Sequence, residues 1–456
     1  MLKQNDKIEY TAEAYANSET VGKVQDCTVF VPHMIVGERA IVKVNYAKKG
    51  VAYADVVELL EQSARRQVPP CPHFGKCGGC GLLHMSYSEQ LAFKRNKVVA
   101  NLSKIGKLTP EVLPCVPSPK IIGYRNKLAL PVRGKVGNVQ IGMYHKASHN
   151  VVNTDSCALC DGWCTALISL FRNFMHAHKI APYNEQNFTG EVRHLVARYV
   201  DGQLLVTVVC NGEPSFNVQL LYARLQAEFH NVGLFVNINT LKNNVILGKT
   251  TRYVAGLRYV ESSHLGVKFR LRPDSFFQVN DGVKDLIYAK VKELLDLSNT
   301  DVLIDCFSGV GILTNVLASE RYQTFAVEIE SSAVTDANEI AELNNTPRVT
   351  NICGDANVEL PKLADEHRGK VMSLVVDPPR KGLGEAICNT ILRSNFDNVV
   401  YISCDSATLA RDLAMLSASY TIDYVQPFDM FPNTDQVETV VCLRRNELHG
   451  NYDKTC

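Results

Sequence analysis

Two side chains near the end of the chain have the types needed for covalent chemistry on an unsaturated ring. They are Cys404, in YISCDSATLARDL, and Glu438, in FPNTDQVETV. A thiolate is a strong nucleophile. Added to carbon 6 of a pyrimidine, it turns the ring into an enolate, whose carbon 5 can attack an electrophilic methyl group. A base must then remove the carbon-5 proton before the thiol is eliminated, and Glu438 is the candidate for that step. Each residue also has a plainer reading. A cytosolic cysteine is commonly a buried, inert thiol, and Glu438 could be an exposed strand residue. Asp377-Pro378-Pro379 lies upstream and is followed by Arg380. An aromatic in that place would suit methylation of an amino group, with the ring stacked on the base.

The residues that would hold a methyl donor come in a regular series. DCFSGVG, Asp305 to Gly311, ends a predicted strand, and Gly309 and Gly311 allow close backbone approach to a ligand. The dinucleotide fingerprint is incomplete, because Thr314 stands where a third glycine belongs, which argues against NAD. Glu328 closes the next strand and could accept hydrogen bonds from both ribose hydroxyls. Asp355, in CGDA, could face an adenine amino group, and Asp377 follows the fourth strand. Each acid alone could simply cap a helix. Three at successive strand ends favour S-adenosylmethionine.

These residues must be positioned by a large chain. At 456 residues two or three domains are expected. The 46% hydrophobic content is ample for cores. A net charge of +1 means that a nucleic-acid partner would be held by local patches and not by a global field. The polar start MLKQNDKIEY is not a signal peptide, and no run is long enough to span a bilayer. The fifteen cysteines are therefore read as cytoplasmic thiols: inert, catalytic or metal-bound. Residues 1–62 alternate with period two, which predicts an OB-like β-barrel; RNA binding by it is one reading, and a structural barrel of unknown duty is the other. A mixed α+β region follows over 70–270. From 271 to 450 strands and helices alternate, which predicts an α/β doubly wound sheet, and YTIDYVQPFDMF with VETVVCLRR ends it in an antiparallel hairpin.

In combination, DSFFQVN (Asp274 to Asn280), DCFSGVG, VDPPRKGL, ISCDSATLARDL and FPNTDQVE make the chain resemble the bacterial RNA 5-methyluridine methyltransferases over essentially its whole length. The resemblance implies a class I (Rossmann-like) S-adenosylmethionine-dependent catalytic domain, with Cys404 as nucleophile and Glu438 as proton acceptor. It further implies Gln278, Phe307, Glu328, Asp355 and Asp377 as cofactor contacts, and a TRAM-type barrel at the N-terminus. The sequence departs from the family pattern in three places. Asp405-Ser406 stands where Asn-Pro is frequent, Gln436 where His is frequent, and Ile312 where Asn or Thr is frequent.

Cys71, Cys77 and Cys80 lie on a loop that also carries Gly75, Gly78, Gly79 and Gly81, and Cys157, Cys160 and Cys164 follow later. The spacing suits zinc and an iron–sulfur cluster alike. Members of the resembling family with a CGGC loop carry a 4Fe-4S cluster, which implies Cys71, Cys77, Cys80 and Cys157 as ligands. A target base must leave its stack to reach Cys404. Arg125, Lys127, Arg272, Arg380 and Lys381, with Tyr124, Phe276 and Phe277, are the candidates to hold RNA. The expected activity is methylation of carbon 5 of a uridine in structured RNA. The cluster loop and barrel resemble the 23S ribosomal RNA branch, and the chain is expected to be a cytoplasmic monomer. The alternatives are a tRNA uridine C5-methyltransferase and a non-catalytic RNA-binding assembly factor. A cytosine C5-methyltransferase would carry a proline-cysteine motif, absent around Cys404.

Overall fold

Period-two alternation builds the first sheet. In CTVFVP, residues Cys27, Val29 and Val31 turn inward while Thr28, Phe30 and Pro32 turn outward. The computed structural model describes residues 2–295 and 297–446. Strands β1 (Lys7–Thr11), β2 (Ala14–Ala16), β3 (Glu19–Val24), β4 (Cys27–Pro32), β5 (Arg39–Lys48) and β6 (Val51–Glu61) form a six-stranded sheet in the order β1-β5-β6-β4-β3-β2. The sheet curls around Tyr10, Val29, Val31, Val42, Val44 and Ala52. The chain just past β1 meets β3, where the Glu13 amide donates to the Val21 carbonyl at 3.1 Å. Gly22 allows the approach, since a Cβ there would lie 2.3 Å from the Thr11 carbonyl oxygen.

Helix α1 (Tyr87–Asn101) follows the cysteine loop. A seven-stranded sheet then uses β7 (Lys127–Lys135), β8 (Asn138–Tyr144), β9 (Val151–Asn153), β10 (Val192–Val200), β11 (Gln203–Cys210), β12 (Val232–Ile238) and β13 (Thr250–Gly256). Their order is β13-β12-β11-β10-β7-β8-β9, antiparallel except between β11 and β12. Helices α2 (Trp163–Ala177) and α3 (Val218–Phe229) bury Leu167, Ile168, Phe171, Leu221 and Leu225 in this domain's core.

The chain separates into two compact units. One holds the residues up to Phe93, Pro119–Val260 and Phe431–Asp435; the other holds Lys94–Ser118, Glu261–Met430 and the chain from Gln436. In the second unit, β14 (Val260–His264) and β15 (Val267–Leu271) make a hairpin ahead of α4 (Asp281–Leu295). The alternation then runs β16 (Val302–Cys306), α5 (Ile312–Leu317), β17 (Gln323–Glu328), α6 (Ser331–Leu343), β18 (Val349–Cys353), α7 (Ala356–Glu366), β19 (Met372–Val376), α8 (Gly384–Ser394), β20 (Asn398–Ser403) and α9 (Ser406–Leu416). It ends in β21 (Tyr420–Phe428) and β22 (Glu438–Arg445). The sheet order is β18-β17-β16-β19-β20-β22-β21, parallel except where β22 meets β20 and β21. This is the class I methyltransferase arrangement expected from the sequence. Both faces are covered by helices, so β16 and β19 are apolar and buried nearly throughout. The strand order reverses between β16 and β19, and in open α/β sheets the crevice at the carboxyl ends beside such a switch takes the ligand.

Candidate active site

The functional side chains gather at those strand ends. After β16 the backbone turns through Phe307 at φ 65° and Gly309 at φ 56°, both left-handed. This turn aims the Gly309 amide at Oε2 of Glu328, 3.0 Å away, while Oε1 accepts from the Glu330 amide at 2.9 Å. The Glu328 carboxylate is thus fixed at the end of β17 by two backbone amides. Gly311, at φ 76°, starts α5, and its missing Cβ leaves room against Ala337. Thr314, read in the sequence only as a missing glycine, is fully buried and donates its hydroxyl to Asp305 Oδ2 at 2.6 Å. Burial pushes the Asp305 carboxyl up to about 7.

Asp377 follows β19, and its amide donates to the Cys306 carbonyl at 3.3 Å. Burial, with Asp305 nearby, pushes its carboxyl up to about 7. Asp355 is exposed and caps α7, accepting from the Asn357 amide at 2.9 Å; that bond holds its pKa below the usual value. Gln278 is half-buried in the segment entering α4. Anchors flank it: Ser275 donates to Asp336 at 2.5 Å, and Asn280 donates to Ser118 Oγ at 3.0 Å and to the Met430 carbonyl at 3.1 Å.

Cys404 sits where β20 stops and α9 begins. Asp405 caps that helix through the Ala407 and Thr408 amides, at 2.9 and 3.2 Å, which fixes the turn carrying the thiol. Ser403 pairs with Thr439 as the last rung of the β20–β22 register; Cys404 is the residue after Ser403 and Glu438 the residue before Thr439. Glu438 is buried, at 3% exposure. Burial and Asp377 push its carboxyl up to about 8, against the opposing charge of Arg380. Burial, Glu438 and Asp377 push the Cys404 thiol up to about 11, again opposed by Arg380. Arg380 donates to Gln436 Oε1, and its carbonyl accepts from the Thr408 hydroxyl at 3.1 Å. A thiol, a buried carboxyl and one cation therefore stand together beside the crevice.

Residues 86–446 match the family described as tRNA (uracil-5-)-methyltransferase. The chain belongs to this family. It is 34% identical to an uncharacterised RNA methyltransferase of Clostridium acetobutylicum, over 97% of this chain and 98% of that one. It is 35% identical to a similarly named protein of Halalkalibacterium halodurans, with the same coverage. A crystal structure of the Pyrococcus abyssi tRNA (uracil-54, C5)-methyltransferase with S-adenosyl-L-homocysteine is similar at TM-score 0.76 and 26% identity, covering 96% of this chain and all of that one. The chain is thus an S-adenosylmethionine-dependent RNA methyltransferase of the uracil-5 family. Among the described residues, no helix is long and apolar enough to cross a membrane.

In this uracil-5 methyltransferase family member, Cys71, Cys77, Cys80 and Cys157 line one cavity of ≈ 70 Å³, together with Phe74, Leu130 and Met143. Gly78 sits tight against the backbone of Lys146, and its amide donates to the Tyr144 carbonyl at 2.9 Å, which pins the loop to β8. Cys160 is instead buried in the core with Trp163 and Cys164. The Cys160 thiol, donating a hydrogen bond to the Cys157 sulfur, holds Cys157 down at about 6, whereas burial pushes Cys80 up to about 12. Among the described residues, no three His, Cys, Asp or Glu side chains converge closely enough to hold one metal ion. A single zinc draws its sulfurs to about 2.3 Å. A polynuclear cluster holds its thiolates farther apart, which suits a cavity walled by four of them.

The residues expected to grip RNA fall into different settings. Arg125 lies in the wall of the cysteine cavity. Arg272 is paired with Asp336 and Glu339. Tyr124 is buried, its hydroxyl donating to the Pro432 carbonyl at 3.2 Å, and Phe277 packs on Phe269 at 5.3 Å between ring centroids. Phe276 is 68% exposed, and Arg380 and Lys381 are exposed. Lys127 opens β7. Sequence reasoning missed the Thr314–Asp305 and Arg380–Gln436 contacts, since neither spacing has a recognised signature.

Proposed function

We propose that the protein methylates carbon 5 of a uridine in 23S ribosomal RNA, in the cytoplasm and as a monomer, through a covalent adduct between Cys404 and carbon 6 of the base. The observation that supports the reading is that Cys404 and the buried Glu438 stand just past the last rung of the β20–β22 register, near enough for the Glu438 charge to push the Cys404 thiol pKa up. S-adenosylmethionine supplies a methyl group on a sulfonium. The Cys404 thiolate adds to carbon 6, and the electron pair of the 5,6 double bond moves onto the ring oxygen as an enolate. Carbon 5 takes the methyl group as the sulfonium's methyl–sulfur bond breaks, leaving the neutral thioether S-adenosylhomocysteine. Glu438 as carboxylate removes the carbon-5 proton, the double bond re-forms, and the thiolate leaves. Arg380 favours the charged forms of both residues, because its cation opposes the upward pull on each pKa. Glu328, Phe307, Gln278, Asp377 and Asp355 are assigned to the cofactor. The first is prearranged by the Gly309 amide, and the last is available through the oxygen lone pairs that its helix cap leaves free.

Cys71, Cys77, Cys80 and Cys157 are assigned to a 4Fe-4S cluster, supported by their shared cavity. The cluster would brace the loop against β8, since methyl transfer moves no net electrons. A tRNA substrate is the second reading, favoured by the likeness to the Pyrococcus abyssi enzyme. The test is incubation with methyl-labelled S-adenosylmethionine and either 23S transcripts or tRNA, followed by nucleoside analysis. Labelled 5-methyluridine in 23S RNA alone supports the first reading, in tRNA alone the second, and in neither defeats both.

A further inference from the structure

Three side chains of α9 grip the loop that carries Arg380. The Thr408 hydroxyl donates to the Arg380 carbonyl at 3.1 Å. Arg411 Nη2 donates to the Lys381 carbonyl at 2.9 Å, and Asp412 Oδ2 accepts from the Leu383 amide at 2.8 Å. The loop is itself a tight turn, since the Gly382 amide donates to the Pro379 carbonyl at 2.8 Å. Gly382 lies at φ 73°, and a Cβ on it would stand 2.4 Å from Asp412 Oδ2. Glycine is what lets the loop come this close to the helix.

Asp412 is fully buried. Its Oδ2 also accepts from the Tyr401 hydroxyl at 2.9 Å, and its Oδ1 accepts from Arg411 Nε and Nη2 at 3.0 and 2.8 Å. These donors, with the Leu383 amide, fill the roughly four acceptor positions of a carboxylate. A buried charge is costly unless it is satisfied in this way. Helix α9 is held without it, because Asp405 caps the helix and Leu409, Ala410 and Leu413 pack in the core. What Asp412 adds is a fixed contact to the loop and to Tyr401, which lies on the strand leading to Cys404. Thiol and loop are thereby tied to one helix. The Arg380 guanidinium reaches from that loop to Gln436, just ahead of Glu438, and its cation opposes the upward pull on the Cys404 and Glu438 pKa values.

We infer that Asp412 is a positioning residue for methyl transfer: it anchors the Arg380–Leu383 loop to the helix that follows Cys404, so that the Arg380 guanidinium stands beside the thiol. The inference rests on the reading of Cys404 as nucleophile and extends it to a side chain too buried to touch the substrate.

The test reads the charge beside Cys404. The full chain is alkylated with iodoacetamide, which is neutral, and separately with iodoacetate, an anion, and the Cys404 peptide is quantified by mass spectrometry. The ratio of the iodoacetate rate to the iodoacetamide rate cancels changes in thiol exposure and ionisation and reports the local cation. Arg380→Gln should lower this ratio by roughly 3- to 10-fold, the attraction of one charge a few ångströms away in a watery site. Asp412→Asn should lower it nearly as far. Loss of a carboxylate alone would raise it, so the sign separates positioning from simple charge. Gly382→Ala leaves every charge in place and pushes the loop off Asp412, and it should lower the ratio too; should Asp412→Asn fail to fold, Gly382→Ala decides alone. Neither change should lower the ratio further in an Arg380→Gln background, because coupled positions do not add. With methylatable RNA, each should slow adduct formation by roughly 10- to 100-fold, the cost of a small misplacement. Three results overturn the inference: Arg380→Gln leaves the ratio unchanged, the two variants keep or raise it, or their effects add in full to that of Arg380→Gln. If the ratio falls as expected but wild type methylates no RNA, the catalytic reading fails and the anchoring of Arg380 stands. If wild type methylates while both variants keep its rate and its ratio, the positioning role alone falls.

Discussion

Cys404 and Glu438 each stand one residue beyond Ser403–Thr439, the last pair in the antiparallel register of β20 and β22, and the Glu438 charge helps push the Cys404 thiol pKa up. In the proposed reaction, the thiol from one strand end and the carboxyl from its neighbour act on two adjacent atoms of one ring. The roles separate cleanly. Removing Cys404 prevents the adduct from forming, whereas removing the base prevents it from resolving. Glu438→Gln should lower turnover by about 10²- to 10⁴-fold and accumulate protein attached to methylated RNA. The check is a denaturing gel with unmodified RNA and S-adenosylmethionine: the variant should give a nuclease-sensitive, slow-moving band, and a variant that is merely inactive and gives no band would contradict the role of Glu438.

The shifted carboxyl fixes a pH dependence. Glu438 accepts a proton only as carboxylate, and its pKa is raised to about 8. The rate at which the methylated adduct resolves to free 5-methyluridine RNA should therefore rise with pH through about 8. Arg380→Gln removes the cation that holds the Glu438 and Cys404 pKa values down, so the rise should move to higher pH. An unchanged or falling profile would refute this.

The same shift acts on stability. An acid whose folded pKa lies above its unfolded value of about 4.3 loses stability for the fold as pH rises between the two. Here that window runs from about 4 to about 8. Glu438→Gln should therefore gain thermal stability over wild type at pH ~9 and match it at pH ~4, as read by melting curves at each pH.

Much of the catalytic unit was legible because parallel βα units write their strands as short apolar runs between amphipathic helices. Each acid or cysteine of interest stands at the end of one such run. Long-range packing was not legible. Residues 94–118 group with the catalytic unit through pairings such as the fully buried Lys94–Asp429 pair, which joins residues 335 apart in sequence. Asp355 shows the plainer of its two readings, since it caps α7. Arg125 and Arg272 read alike as basic residues near aromatics. One lies against thiols and the other against carboxylates, a distinction set by tertiary neighbours alone.

Thr314 supplies the hydrogen bond that the buried Asp305 needs. Thr314→Val keeps the shape and removes the donor. It should cost about 1–3 kcal/mol, the penalty of leaving a buried polar group unsatisfied, whereas Thr314→Ser should cost much less. Urea unfolding of the three proteins decides it.

The cysteine cavity makes a distinction between two neighbours. Purified without oxygen, the protein should show the broad visible absorption of an iron–sulfur cluster. Cys157→Ser should lose most of it, and Cys160→Ser should keep it, because Cys157 lines the cavity while Cys160 lies in the core. A colourless, zinc-replete wild type would contradict the cluster.

The covalent step is tested most directly with RNA containing 5-fluorouridine. Fluorine cannot leave as a proton, so methylation should halt with Cys404 bonded to carbon 6. Wild type with S-adenosylmethionine should give a stable protein–RNA band on a denaturing gel, and Cys404→Ala should give none. A wild type that forms no band on RNA it demonstrably methylates, or a band that persists in Cys404→Ala, would contradict the account.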